Sequence, residues 1–144
     1  MATNPAEVLS LPKPAWAADE VGMLYDMAHR FMSEEIAPRY DEFEKNEMVD
    51  RESWLKAGAA GLLCASMPEE YGGSGGTFAH ESAIIEAIGH VGVDGFGIGL
   101  HNSIVAPYVL HYGSEEQKKK WLPKLATGEL IGAIAMTEPG AGSD

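Results

Sequence analysis

An all-α bundle of about six helices, closing on one strand near the C-terminal end, is the fold this sequence predicts. Three observations carry that expectation. Apolar residues recur at three- and four-residue spacing through most of the chain. Helix-starting and helix-ending residues bracket those runs. Only one stretch, "LIGAIAMT" at 130–137, reads as a strand.

The elements follow in order. Residues 1–17 carry three prolines and no helical period, so an arm is expected. Asp19 is a suitable N-cap, and Val21, Leu24, Ala28, Phe31 and Ile36 behind it form one helical face. Pro38 begins a new turn, with Tyr40 and Phe43 inward. A short helix over 53–60 puts Trp54, Leu55 and Ala59 inward and stops at Gly61. "MPEEYGGSGG" at 67–76 is a loop. Thr77 opens a helix with Phe78, Ile84, Ile85 and Ile88 inward, ended by Gly89 or Gly92. Residues 95–112 form an apolar helix kinked or broken near Pro107. Ser114 and Gln117 make a capping box for the helix 115–122. "ATGE" at 126–129 is a turn, and the strand and its exit loop "EPGAGSD" come last. A lone strand has no partner in this chain, so it is expected to be poorly held.

A chain of 144 residues suffices for one domain with its own core. The net charge of -12 argues against a nucleic-acid partner, which needs a basic face, and against an anionic membrane surface. No apolar run approaches the ~20 residues of a membrane helix. Cys64 is the only cysteine; it excludes an internal disulfide and reads as a buried, inert thiol. The first twenty residues have one Lys, no Arg and no apolar core, so neither a signal nor a transit peptide is expected. The expected location is cytoplasmic, in a bacterium.

Candidate chemistry is sparse. His80-Glu81 begins an HExxH pattern, but position 84 is Ile, and the other histidines show no metal spacing. No metal site is expected. Lys118 to Lys120 behind Glu115 and Glu116 read as a solvated helix face with i,i+3 and i,i+4 pairs. "GGSGG" at 72–76 lacks the Lys-Ser/Thr of a phosphate loop. "GAGSD" at 140–144 is the better candidate. Its small residues let backbone N–H groups converge on an oxygen, and Thr137 and Ser143 add hydroxyls.

"AMTEPGAGSD" after Ile131-Gly132-Ala133-Ile134, "MPEEYGG" at 67–73 and "GSEEQKKKWLPKLATGE" at 113–129 together resemble the acyl-CoA dehydrogenases, in order and in spacing. The likeness covers residues from about 20 onward and is nearest the long-chain members. It implies an orthogonal helical N-terminal domain at 18–128, after the arm at 1–17. Residues 129–144 would be the first strand of a truncated middle β-domain. A fragment or a naturally shortened product, inactive alone, is then expected.

The resemblance also implies FAD as cofactor, a fatty acyl-CoA substrate, electron-transfer flavoprotein as redox partner, and a homotetramer at full length. The family's reaction is α,β-dehydrogenation in fatty acid β-oxidation. Carried over residue by residue, Ile134, Met136, Thr137, Gly142 and Ser143 would bind the flavin, with Ser143 touching its phosphates or the CoA. Phe96, Leu100 and Ile104, at i, i+4 and i+8, are candidate acyl-tail contacts, with ordinary core as the competing reading of each. No acid here matches the family's catalytic glutamate. The competing functions are a non-catalytic helical interaction domain, and an acyl-CoA oxidase or nitroalkane-oxidase-like relative.

Overall fold

The computed structural model describes residues 19–141. Helix α1 (Asp19–Phe31) lies along α4 (Phe78–Val91), the most extensive helix contact in the fold. Between them come α2 (Tyr40–Lys45) and α3 (Arg51–Ala59); after them come α5 (Ile98–Leu100), α6 (Ala106–Tyr112) and α7 (Glu115–Ala126). The expected arm at 1–17 lies outside the described residues.

Two prolines shape the helices in the same way. A π-helical turn, Met32–Ile36, precedes Pro38, and another, His101–Val105, precedes Pro107. Proline lacks an N–H, and its ring collides with the carbonyl four residues back. Widening the turn relieves that collision. The residue before each proline accordingly bonds five residues back: Ala37 N–H to the Met32 carbonyl, and Ala106 N–H to that of His101. The break expected near Pro107 is thus a wide turn inside a continuous rod.

The core is built on small residues as much as large ones. Ala28, Ala57, Ala83 and Ala87 are buried, which lets α1, α3 and α4 approach closely around Met32, Ile36, Trp54, Ile84 and Ile88. This corrects part of the expected patterning. Leu55 and Ala59 face solvent while Ser53 and Ala57 turn inward; Phe78 is 75% exposed, and Ile85 is also outside. A second cluster of Cys64, Met67, Tyr71, Ala106, Leu122 and Leu125 joins the "MPEEYGG" loop to α6 and α7. Gly92 (φ +78), in the left-handed region, ends α4; Gly89 stays inside the helix.

Buried polar residues tie the two clusters together. Glu81 Oε1 accepts from Ser66 N–H at 2.8 Å, and Oε2 from Asn102 Nδ2 at 2.9 Å. The same Asn102 amide donates to the Leu62 carbonyl and accepts from Cys64 N–H. Cys64 has φ +56, unusual for a non-glycine residue, and that bond helps to hold it there. Burial first, then the nearby Glu81 charge, pushes the Cys64 thiol up to about 12, so it is unreactive, as its apolar setting implied.

The expected strand does not form. Residues 131–137 have no regular structure, and only an isolated bridge joins Glu138 to Ala141. A strand needs a neighbour for its N–H and C=O groups, and none lies beside it among the described residues.

Asn102→Ala should strip partners from Glu81, Cys64 N–H and the Leu62 carbonyl at once. Urea unfolding should show at least about 3 kcal/mol of lost stability; a loss below about 1 kcal/mol would mean that water replaces the amide.

Candidate functional site

The segment after α7 is held down by close contacts at its start. Gly128 (φ +77) sits so near α3 that a Cβ there would lie 2.4 Å from the Trp54 carbonyl oxygen. Arg51 donates to the Glu129 carbonyl. Leu130 N–H donates to the Lys124 carbonyl at 3.0 Å. Gly132 N–H donates to His101 Nδ1 at 2.9 Å.

That last bond decides the state of His101. An amide N–H only donates, so Nδ1 must be the bare nitrogen and the proton must sit on Nε2. Nε2 lies 3.0 Å from the Leu125 carbonyl and donates to it. The ring is fully buried and stacked obliquely on Trp54, centroid to centroid 5.2 Å. Burial pulls its pKa below the ordinary histidine value, against the weaker opposing pull of the Leu125 carbonyl. At neutral pH His101 is therefore a neutral two-ended clamp joining the end of α7 to the segment.

Past Gly132 the chain runs free. Among the described residues, no backbone group of 133–137 is hydrogen-bonded within the chain. Across from it lie Val105, Tyr108 and Val109, and the two sides enclose a groove of about 480 Å³ also lined by Ala133–Met136 and Glu138. A larger depression of about 610 Å³, lined by Tyr25, Asp26, His29, Arg30, Ser33 and Glu34, opens on the outer face of α1. It shares no residue with the groove.

The sequence-predicted residues divide accordingly. Ile134 and Met136 line the groove, Met136 being 78% exposed, and Thr137 is exposed beside them. Gly142 and Ser143 lie outside the described residues. Leu100 and Ile104 are both partly exposed, one turn apart. Phe96 is not on their face: it lies in a 3₁₀ turn before Gly97 (φ +82), 2% exposed, edge-on to Trp54 at 5.1 Å. The helix expected to carry all three begins only at Ile98, so Phe96 packs in the core.

Sequence reasoning missed His101 and Asn102 as structural polar groups. Their signal is a polar pair inside an otherwise apolar run, "IGLHNSIVA", where a buried face demands hydrogen-bond partners. Among the described residues, no group of three or more His, Cys, Asp or Glu could hold a metal ion, and no helix is long and apolar enough to cross a membrane.

A family model described as the acyl-CoA dehydrogenase N-terminal domain matches residues 18–129. The chain is 43% identical over 127 residues to the mitochondrial long-chain specific acyl-CoA dehydrogenase of Sus scrofa, across 88% of this chain and 30% of that one. A crystal structure of an acyl-CoA dehydrogenase from Geobacillus kaustophilus superposes with a TM-score of 0.84 at 48% identity, covering 90% of this chain and 34% of that one. One from Bacillus anthracis, complexed with FAD, superposes with a TM-score of 0.80 at 39% identity, covering 88% and 22%. The chain spans about a third or less of the length of these relatives.

Gly132→Ala tests the close approach. The new Cβ would meet Val105 Cγ1 at 2.8 Å and Cβ at 2.9 Å. A β-branched side chain in a helix cannot rotate away cheaply. The residue-132 amide should lose its exchange protection, and stability should fall by about 1–3 kcal/mol. Unchanged protection would mean that the segment is not seated on Val105 and His101.

Proposed function

The chain belongs to the acyl-CoA dehydrogenase family, and from that premise we propose that it forms the helical wall and first flavin-binding segment of an FAD-dependent enzyme that dehydrogenates fatty acyl-CoA thioesters. One observation carries the reading: the backbone of 133–137, unpaired among the described residues, borders an apolar groove beside α6. Such a strip offers N–H and C=O groups in a row to the polar edge of a planar heterocycle, while Val105, Tyr108 and Val109 offer apolar surface. These residues fit an isoalloxazine ring. The FAD complex of the Bacillus anthracis relative supports the same assignment.

In this reading the backbone of Ile134 and Met136 and the hydroxyl of Thr137 hold the ring, and Gly142 and Ser143 serve its phosphates or the CoA. Leu100 and Ile104 border the acyl tail. Phe96 acts from behind, by fixing Trp54 rather than touching the tail. FAD, when bound, supplies the acceptor for the hydride leaving the substrate's β-carbon. The α-proton goes to a base, leaving an α,β-unsaturated thioester; no carboxylate of this chain is assigned that role. The likeness to the long-chain enzyme favours a long acyl group and a place in β-oxidation. Electron-transfer flavoprotein as acceptor, a homotetramer and a cytoplasmic location belong to the same proposal.

A chimera tests it. This chain would replace the corresponding residues of the Geobacillus kaustophilus enzyme. The purified chimera should retain flavin, and palmitoyl-CoA should bleach it without oxygen. A folded chimera devoid of flavin would overturn the reading. In the same protein Leu100→Trp should shift preference toward shorter acyl chains. Leu100 is already partly exposed, so added bulk should exclude long tails without overpacking the core. Equal loss across all chain lengths would remove Leu100 from the tail site.

A further inference from the structure

We propose that His101 is a positioning residue for the segment: its neutral ring docks Gly132 and so seats residues 133–137 against the helices, and protonation at Nδ1 undocks it. The inference rests on the flavin-binding reading of that segment for its functional meaning, though not for its geometry.

The geometry is specific. Gly132 N–H reaches Nδ1 at 2.9 Å, the Leu125 carbonyl faces Nε2 at 3.0 Å, and the Trp54 ring lies over the imidazole. Both nitrogens are therefore committed, and only one tautomer satisfies both partners. A second proton would have to enter at Nδ1. There it would face the Gly132 N–H head-on, donor against donor, and it would bury a charge.

Among the described residues, no charged side chain compensates. On the elements packed around the ring, Arg51 is engaged with the Glu129 carbonyl, and Lys56 pairs with Glu35 and Glu52. Glu81 is taken up by Ser66 and Asn102. Lys124 and the Glu129 side chain are exposed. Burial is accordingly the first cause of the shift in His101, and the shift is downward. The sign follows from that direction. The docked state binds fewer protons than the undocked one, so docking is complete above the ordinary histidine pKa of about 6.5 and weakens as pH falls toward and through the lower docked value.

The test uses the ¹⁵N-labelled chain. The Gly132 amide shift should titrate with the same midpoint as the His101 ring, below about 6.5. Its protection against exchange, corrected for the intrinsic rate, should fall about five- to tenfold in the acid form. His101→Asn places an amide oxygen near the Nδ1 position and cannot titrate, so it should keep Gly132 protected at every pH. His101→Phe should leave it unprotected throughout. A buried ring that only fills space would give protection independent of pH, and that outcome overturns the proposal. So does a protected Gly132 in His101→Phe. If His101→Phe fails to fold, the wild-type titration and His101→Asn decide alone. A flavin-free chimera beside a Gly132 that titrates as described would count against the flavin reading while supporting the docking.

Discussion

A neutral imidazole with both nitrogens committed is the constraint on which the candidate site depends. His101 joins three parts of the fold at one buried point: the end of α7, the Trp54 face of α3 and the start of the segment after α7, beside the Arg51–Glu129 and Leu130–Lys124 bonds that hold the same turn. The neighbouring requirements follow from it. Gly132 must lack a side chain for its N–H to come within reach, because Val105 occupies the space a Cβ would take. Gly128 must turn left-handed against the Trp54 carbonyl for the chain to leave α7 in that direction. The segment then passes the helices with the backbone of 133–137 unpaired among the described residues.

The same π turn serves the core on its other side. Asn102 follows His101 directly, yet it reaches back to Glu81, Cys64 and Leu62. One short stretch thus ties the backbone at Leu62 and Cys64 to α4 and, one residue earlier, ties the segment at Gly132 to the end of α7. Pro107 accounts for the wide turn itself, since it denies the helix a normal bond at that point. The buried bonds are costly to leave unmade, which makes the arrangement specific rather than merely stable.

Much of the helical scaffold was legible from local chemistry. The Ser114–Gln117 capping box forms as expected, with Lys118 paired to Glu115, and Gly92 ends α4. Cys64 is buried as its apolar neighbours implied. Inward faces were read less well where alanine and serine, not large apolar residues, make the close contacts; Leu55, Phe78 and Ile85 were misplaced for that reason. Phe96 was placed on a helix that Gly97 prevents from reaching it. The segment at 131–144 was expected to be loosely held throughout. Gly132 is instead anchored by the His101 ring, and Glu129 just ahead of the segment by the Arg51 side chain, contacts from distant positions that no local pattern announces. His101 and Asn102 belong to the same class: their partners lie 21 to 40 residues away.

The most direct measurement of this clamp is the scalar coupling across the hydrogen bond between the Gly132 amide nitrogen and His101 Nδ1, in the ¹⁵N-labelled chain at pH 8. The account requires a resolved cross-peak linking the two nitrogens, with ring shifts of a bare Nδ1 and a protonated Nε2. A ring protonated at Nδ1, with no coupling to Gly132, would contradict it.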